Sequence, residues 1–239
     1  MVITTRVSHR PWWTLPFVDV TDDFVDVVLP CLDEAGALPG VLRALPFHYR
    51  AIVVDNGSSD GSPEVAAGLG AKVLHESRRG YGAAVHAGLE GATADVVCFC
   101  DADGSLDPAE LPKLVDTLLA TGADLVVGRR VPTSRSVWPW HARAGNKLLS
   151  SLLRRRGLPV RDIAPMRAVR RDALLHLEIT DRAFGYPLEL LIKAQRAGWR
   201  VRELDVSYRE RAKGTKSKVS GSARGTLRAV RDMTRVLAE

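Results

Sequence analysis

The chain has 239 residues, of which 46% are hydrophobic and 26% are charged, and its formal net charge is +6. This composition is typical of a globular protein with a sizeable core, and it argues against a disordered or fibrous chain. The three cysteines, Cys31, Cys98 and Cys100, match neither a disulfide framework nor a zinc site. Because no apolar run reaches bilayer length and the first residues lack the apolar stretch of a secretory signal, we expect a cytoplasmic protein with reduced cysteines.

The first half of the chain alternates between short apolar runs and helical patterns. Strands are predicted at 24–30, 51–55, 71–76, 95–101 and 124–128. Most of these runs are continuously apolar, as expected for strands that are covered on both faces. Helices are predicted at 36–45, 62–69, 80–91 and 108–121, the last with Asp107 as N-cap and Pro108 in its first turn. This alternation predicts an α/β fold with a doubly wound, mainly parallel sheet and helices on both faces.

The second half of the chain is less regular. An amphipathic helix is predicted over 141–157, and its apolar side is formed by Leu148, Leu149, Leu152 and Leu153. The segments 166–177, 186–198 and 199–209 then predict a strand, a helix and a strand. We therefore expect an extension over 1–23, a single α/β domain over 24–225 and a final helix over 226–239.

The basic excess is concentrated near the C-terminus. Residues 206–239 contain nine Lys or Arg against three acidic residues, and this difference of six equals the whole net charge. They include a Gly/Ser/Lys loop over 212–225 and an amphipathic helix with Leu227, Val230, Val236 and Leu237 on one side. Such a helix is compatible with packing on the domain, with a partner subunit, or with peripheral contact to an anionic membrane. No nucleic-acid-binding motif accompanies the cations, so we expect no nucleic-acid partner.

Acidic residues follow three of the predicted strands. They are Asp33 and Glu34 after the first strand, Asp55 after the second, and Asp101 and Asp103 after the fourth. Because ligands bind at the carboxyl ends of strands in open parallel sheets, we expect these acids to share one rim. Neighbouring carboxylates repel each other unless a cation compensates, and Mg²⁺ takes one or two of them together with phosphates and water. We therefore predict a metal site at Asp101 and Asp103, whereas Asp107 is expected to be a simple helix cap.

The loop that begins with Arg78 is rich in glycine but does not match the dinucleotide-binding fingerprint. Two explanations remain open for Gly80 and Gly82. They form a tight turn before a helix, or they let the backbone approach an anionic donor at the helix N-terminus.

Six segments together resemble glycosyltransferase family 2 with the GT-A fold. In chain order they are VVLPCLDEAG, VVDNGSSDGS, RRGYGAAVHAGL, DADGSLDP, VVGRR and YRERAKGTKSKVSG. The resemblance spans roughly residues 24–230 and is strongest to the dolichyl- or polyprenyl-phosphate mannose or glucose synthases and their soluble bacterial relatives. It implies a GT-A-like fold and inverting transfer of a hexose from a UDP-, GDP- or dTDP-linked donor, with Mg²⁺ or Mn²⁺ as cofactor.

The resemblance also implies roles for individual residues. Those implied to bind the nucleotide sugar are Pro30, Asp33, Glu34, Asp55, Asp101, Arg130, Arg211, Ser217 and Lys218. Asp101 and Asp103 are implied to bind the metal. Ser105 stands where these synthases often have a glutamine ligand, so it is a candidate third ligand.

The nature of the acceptor decides whether a catalytic base is needed. A lipid phosphate is already ionised, whereas the hydroxyl of a soluble small-molecule acceptor requires a carboxylate within reach. Glu189 lies where the family often keeps an acid and is the candidate base, with Asp181 as the second choice, although a solvent-facing role is equally compatible. Asp103 would act in catalysis through the metal.

Two other functions remain open. A sugar nucleotidyltransferase shares this type of architecture, but the expected basic, glycine-rich signature after the first strand is absent from PCLDEAGALPG. A binding protein that has lost activity is the other alternative. The sequence predicts neither the sugar, the base nor the oligomeric state.

Overall fold

The computed structural model describes residues 24–134, 137–138, 140–212 and 223–238, and within these ranges seven strands form one sheet. The strands are β1 (Val25–Cys31), β2 (Tyr49–Asp55), β3 (Lys72–His75), β4 (Val96–Phe99), β5 (Leu125–Pro132), β6 (Arg167–Arg170) and β7 (Val201–Tyr208). Their order across the sheet is β3-β2-β1-β4-β6-β5-β7. Only β6 runs antiparallel to its neighbours within the described sheet, so the expected mainly parallel arrangement is confirmed.

Helices cover both faces of this sheet. They are α1 (Leu38–Arg43), α2 (Ser62–Gly68), α3 (Tyr81–Gly91), α4 (Leu111–Thr121), α5 (Trp140–Arg155), α6 (Arg171–His176), α7 (Tyr186–Arg196) and α8 (Ala223–Ala238). One core cluster contains residues of α1, α2 and α4, and the other contains residues of α3, α5, α6, α7 and α8. This is the doubly wound arrangement. No helix of the described residues is long and apolar enough to span a membrane.

The continuous apolar runs follow from this two-sided burial. In β4, Val96 and Cys98 belong to one core cluster, while Val97 and Phe99 belong to the other. A strand that alternates its side chains between two buried faces needs apolar residues at every position.

The predicted strand over 166–177 is only partly correct. The strand is limited to β6, and residues from Arg171 onward form α6, in which Leu174 is fully buried. β4 and β5 pair with β6 over only three or four residues, so a longer strand would have no neighbour for its backbone groups. The helix predicted at 108–121 begins as a 3₁₀ turn over Pro108–Glu110, with Asp107 Oδ1 accepting from Ala109 N at 3.1 Å.

The predicted apolar faces of two helices also require correction. In α5, Leu153 is fully buried, but Leu148 is 64% exposed. In α8, Leu227 and Val230 are exposed, while Val236 packs into the core. The buried side of α8 is Ala229, Asp232 and Val236, with Met233 and Leu237 partly buried. Residues 1–23 and the loop over 213–222, including Ser217 and Lys218, lie outside the described residues.

The packing of α3 on the sheet depends on Gly88. A Cβ added at this position would clash with Val28 Cγ1 and lie 3.0 Å from Val54 Cγ2. We therefore expect Gly88→Ala to lower the free energy of unfolding by about 1–3 kcal/mol, because the helix or the strands must shift. Gly145→Ala in α5 is the control, since a Cβ there meets nothing within 4 Å. Denaturant unfolding should show this control unchanged or stabilised by about 0.5–1 kcal/mol, and equal responses of the two variants would contradict the packing argument.

Candidate active site

The carboxyl ends of β1, β2 and β4 meet at one edge of the sheet. Pro30, predicted to line the nucleotide pocket, lies near the end of β1 opposite Val54 of β2, and Val28 lies opposite Phe99 of β4. The acidic residues at or just beyond these strand ends are Asp33, Glu34, Asp55, Asp101 and Asp103. The parallel register thus brings the predicted acids to one rim.

The loops after β1 and β2 hold each other in place. Asp33 Oδ1 accepts a hydrogen bond from Ser59 N at 2.8 Å. The backbone nitrogens of Asp33 and Glu34 donate to the hydroxyls of Ser58 and Ser62, both at 2.9 Å. Asp33 has a φ of 54°, a left-handed conformation that aspartate tolerates better than most residues. Its backbone is therefore fixed by the neighbouring loop.

Asp55 is a buried carboxylate held in its ionised form. Burial pushes its pKa upward, but hydrogen bonds from Ser58 and Gly57 outweigh this effect and lower the pKa below its usual value. Ser58 N and Gly57 N lie 3.0 and 3.2 Å from its two oxygens, and His75 Nδ1 lies at 3.4 Å. Asp55 is thus a fixed anionic acceptor at the base of the rim.

Asp101 is the member of the acidic pair whose ionised form is disfavoured. Burial and the neighbouring charge of Asp103 raise the pKa of Asp101 to about 6, against the opposing effect of Arg211, Arg130 and Arg167. An ordinary aspartate would be fully ionised at that pH. Asp101 therefore holds its proton more tightly than an ordinary aspartate, chiefly because it is buried.

Both oxygens of Asp103 have partners within the protein. Oδ1 accepts from Ser105 N at 2.8 Å, and Oδ2 lies 2.6 Å from Arg211 Nη1. The same guanidinium nitrogen is 4.0 Å from Glu34 Oε1. Ser105 is fully buried, and within the described residues its hydroxyl has no hydrogen-bond partner.

These residues fit a divalent cation. Carboxylate oxygens are the ligands that Mg²⁺ and Mn²⁺ prefer, and the orphaned Ser105 hydroxyl adds a neutral oxygen nearby. Among the described residues no group of three His, Cys, Asp or Glu is arranged to hold a metal. Asp101 and Asp103 would therefore need ligand oxygens and water to complete the coordination.

Arg130 is fixed in a stacked ion pair. Its Nε and Nη2 donate to the two oxygens of Asp162 at 2.8 and 2.7 Å. Its guanidinium carbon lies 4.3 Å from the ring centroid of Trp138 and 5.4 Å from that of Tyr208. Burial acts to lower the pKa of Arg130, but Asp162 reverses this and raises it. The predicted contact between Arg130 and the donor diphosphate stays a prediction.

Arg167 is a buried cation beneath the acidic rim. It is 4% exposed, and it donates to the carbonyl oxygens of Ala164, Ile163 and Pro187 at 2.8, 2.7 and 3.2 Å. Burial lowers its pKa from the usual value. Its charge is one of those that oppose the rise in the pKa of Asp101.

Gly80 and Gly82, at the start of α3, are explained by packing against the protein itself. A Cβ at Gly80 would clash with the carbonyl oxygen of Arg182, and one at Gly82 would lie 2.8 Å from Tyr186 Cβ. The backbone nitrogens of Gly82 and Ala83 donate to Ala183 O and Arg182 O at 3.0 and 2.8 Å. These helix N-terminal groups are therefore already satisfied, and the structure favours the tight turn over close approach to a donor.

The surroundings of Glu189 argue against a catalytic base. Its Oε1 accepts from Thr180 N at 2.9 Å and from the Thr180 hydroxyl at 3.0 Å, and it lies 3.0 Å from Lys193 Nζ. Its Oε2 accepts from Asp181 N at 2.6 Å. Burial raises the pKa of Glu189, but these donors lower it overall, whereas a base benefits from a raised pKa. Glu189 instead holds the backbone at 180–181, and the second candidate, Asp181, itself accepts from Ala183 N at 2.7 Å.

Sequence reasoning missed three residues of this region: Asp162, Trp138 and Arg167. An arginine within the short apolar strand MRAVR was a usable signal, because a charge in a buried strand requires an explanation. Asp162 and Trp138 lie in irregular segments, and no periodicity distinguishes them.

The raised pKa of Asp101 gives a testable link between stability and pH. The folded-state pKa of about 6 exceeds the ordinary value of 3.8. The protonated carboxyl therefore favours folding below about pH 3.8, and this contribution is lost as the pH rises through 6. In EDTA, Asp101→Asn should stabilise the protein at pH 7.5 by about 1–3 kcal/mol, with little gain at pH 4.

Denaturant unfolding at several pH values measures this difference. Asp95→Asn is the control, because Asp95 is an exposed carboxylate just before β4, at the opposite end of the strand. A loss of stability in Asp101→Asn at pH 7.5 would show that the carboxylate is better compensated than this geometry indicates.

Comparison with known proteins agrees with this architecture. The family model described as Glycosyl transferase family 2 matches residues 26–177. An uncharacterised glycosyltransferase of Mycobacterium tuberculosis is 57% identical over 217 residues, which cover 90% of this chain and 99% of that protein. The dolichyl-phosphate hexose transferase of Haloferax volcanii is 35% identical over 207 residues, which cover 83% of this chain and 88% of that protein.

A solved structure shows the same fold. It is the glucosyl-3-phosphoglycerate synthase of Mycobacterium tuberculosis in complex with Mn²⁺, uridine diphosphate and phosphoglyceric acid. The TM-score is 0.69 at 23% identity, and the match covers 90% of this chain and 77% of that chain. The GT-A fold expected from the motifs is thereby confirmed. The chain belongs to glycosyltransferase family 2.

Proposed function

We propose that the protein transfers a hexose from a nucleotide-diphosphate sugar to a polyprenyl phosphate, with inversion and with a divalent metal at Asp101 and Asp103. The observation that carries this proposal is the pair of carboxylates at the sheet edge, with Arg211 2.6 Å from Asp103 and the charge of Arg130 acting on Asp101. A metal–diphosphate complex carries positive charge on the metal and negative charge on the phosphates. It can therefore bind to the acidic and the basic side chains of this site at once.

The protein's own residues would position the donor from two sides. The interlocked loops that carry Asp33 and Asp55 offer fixed carboxylates to the hydroxyl and N–H groups of a nucleoside. Arg211 lies where it can meet the diphosphate as negative charge grows on the leaving group, which is where preorganised cations accelerate a displacement. A divalent cation bound by Asp101 and Asp103 would supply further stabilisation of that charge.

An open surface depression of about 410 Å³ supports a lipid-phosphate acceptor. It is lined by Trp138, Trp140, Arg143, Ala144, Asn146 and Lys147. Trp140 is 80% exposed, and Arg143 and Lys147 are also exposed. An exposed indole ring and a partly buried one beside two cations suit a ligand that is apolar along its chain and anionic at its end. Because Trp138 stacks on Arg130, this depression lies beside the arginine that we propose meets the donor diphosphate.

The choice of acceptor also agrees with the state of Glu189. A phosphate monoester is ionised at neutral pH and attacks without a base, so an enzyme that uses it has no need of a free carboxylate. The relative from Haloferax volcanii is named as a dolichyl-phosphate hexose transferase.

The outer side of α8 would give access to a membrane-borne acceptor. Leu227 and Val230 are 70% and 56% exposed, and the neighbouring Arg228 and Arg231 are exposed as well. Apolar residues flanked by arginines favour peripheral contact with anionic lipid. We include this contact in the proposal.

Donor and metal are tested together by thermal shift. We expect one of the UDP-, GDP- or dTDP-linked sugars to raise Tm by a few degrees only when Mn²⁺ is present, because a ligand that binds the folded state stabilises it. Asp103→Ala should lose this joint stabilisation and the transfer activity, while Asp95→Ala keeps both. Normal transfer by Asp103→Ala would rule out the proposed metal site, and pyrophosphate release from a sugar phosphate and a nucleoside triphosphate would favour a nucleotidyltransferase.

The acceptor is tested by comparing polyprenyl phosphate, polyprenol and 3-phosphoglycerate. We expect transfer to the first alone, and an increase of about tenfold or more in its KM for Arg143→Gln, because a charge-assisted contact to the phosphate is lost. Donor hydrolysis should remain unchanged in that variant. Arg155→Gln, at the exposed far end of α5, is the matched control. Equal transfer to polyprenol, or transfer to the soluble acceptor only, would contradict the lipid-phosphate assignment.

A further inference from the structure

Arg211 sits against a carboxylate that the proposed metal also needs. Its Nη1 lies 2.6 Å from Asp103 Oδ2 and 4.0 Å from Glu34 Oε1, so the guanidinium lies between the acids that follow β4 and β1. The Asp103 side chain is 5% exposed and that of Arg211 is 28% exposed. Water therefore screens this ion pair only weakly.

The backbone holds Arg211 in this position. Residues 208–212 run antiparallel to the loop over 103–107, with a bridge between Tyr208 and Leu106. Arg209 N donates to Ser105 O at 2.8 Å, and Ala212 N donates to Asp103 O at 3.0 Å. The ion pair is thus part of an ordered contact between two chain segments, which makes it more than a chance surface encounter.

We infer that Arg211 is a built-in competitor of the metal, and that it makes metal binding at Asp101 and Asp103 depend on the donor. This inference rests on the proposed function. Asp103 Oδ1 already accepts from Ser105 N and Oδ2 carries Arg211, so a divalent cation that binds either oxygen of Asp103 comes close to the guanidinium. A dication and a guanidinium on one carboxylate repel each other strongly at this depth.

A diphosphate resolves this conflict. Its oxygens complete the metal coordination and also offer Arg211 a new anionic partner, to which a guanidinium binds in a bidentate manner. When the metal binds alone, Arg211 loses its ion pair with Asp103 and gains no new anionic partner. When the metal binds with a diphosphate, Arg211 exchanges Asp103 for the phosphate oxygens. Arg211 therefore selects the metal–donor complex over the metal by itself. By linkage, each ligand increases the affinity for the other.

The test measures Mn²⁺ affinity in the absence of any nucleotide, by electron paramagnetic resonance of free Mn²⁺ or by calorimetry. Arg211→Gln removes the competing cation and should tighten Mn²⁺ binding by about tenfold, the usual effect of one charge-assisted contact. Arg211→Lys keeps the charge and should change the affinity much less. Circular dichroism and Tm show whether each variant is folded.

Arg209→Gln is the matched control for net charge. Arg209 lies in the same segment, and its Nη2 contacts Asp107 Oδ2 at 2.8 Å, outside the predicted metal-binding pair. It should change Mn²⁺ affinity by less than about twofold, because no shared ligand oxygen is released. Mn²⁺ affinity that is unchanged or weaker in Arg211→Gln, or equally improved in Arg209→Gln, would overturn the inference.

A second arm adds uridine or guanosine diphosphate. In the wild type the nucleotide that binds should increase Mn²⁺ affinity, and in Arg211→Gln most of this increase should disappear. Failure of every nucleoside diphosphate to promote Mn²⁺ binding in the wild type would count against the proposed function, whatever the variant shows. Promotion in the wild type without tighter nucleotide-free binding in Arg211→Gln would overturn only the role of Arg211.

Discussion

Two carboxylates delivered by a parallel sheet to the same edge cannot both stay ionised unless positive charge is placed against them. Much of this molecule's organisation around the site follows from that constraint. Arg211 comes from beyond the last strand and contacts Asp103, while Arg130 and Arg167 act on Asp101 from β5 and β6. Burial and the neighbouring charge of Asp103 nevertheless keep the pKa of Asp101 above its usual value.

The cations differ in how firmly they are held, and this difference assigns them different tasks. Arg130 is locked by the two oxygens of Asp162 and by the ring of Trp138, so its charge is a fixed part of the site. Arg211 has one short ion pair and a partly exposed side chain, so it is held less firmly than Arg130. A site that binds a charged donor and later releases a charged product needs both kinds of cation.

The sequence predicted the fold and the acidic rim because both depend on local patterns. Continuous apolar strands, helix starts such as Asp107-Pro108 and acids at strand ends are properties of neighbouring residues. The burial of Leu153 but not Leu148, and of Val236 but not Leu227, depends on which neighbours a helix meets after folding. The same is true of Glu189, whose pKa is lowered mainly by the backbone donors of Thr180 and Asp181, which precede its helix. Ion-pair partners such as Asp162, which binds Arg130, likewise cannot be predicted from the sequence, because folding alone brings them together.

The reversed direction of β6 has an electrostatic consequence of its own. In a sheet whose other strands all finish at the ligand edge, β6 begins there, with Arg167 opposite Phe99 of β4 and Val127 of β5. A strand that finished at this point would present backbone carbonyl oxygens to a rim already crowded with anions. The inverted strand instead places an arginine side chain under the rim, where it donates hydrogen bonds to three carbonyl oxygens and keeps its positive charge. Chain topology thus places a positive charge beneath the rim, where it opposes the rise in the pKa of Asp101.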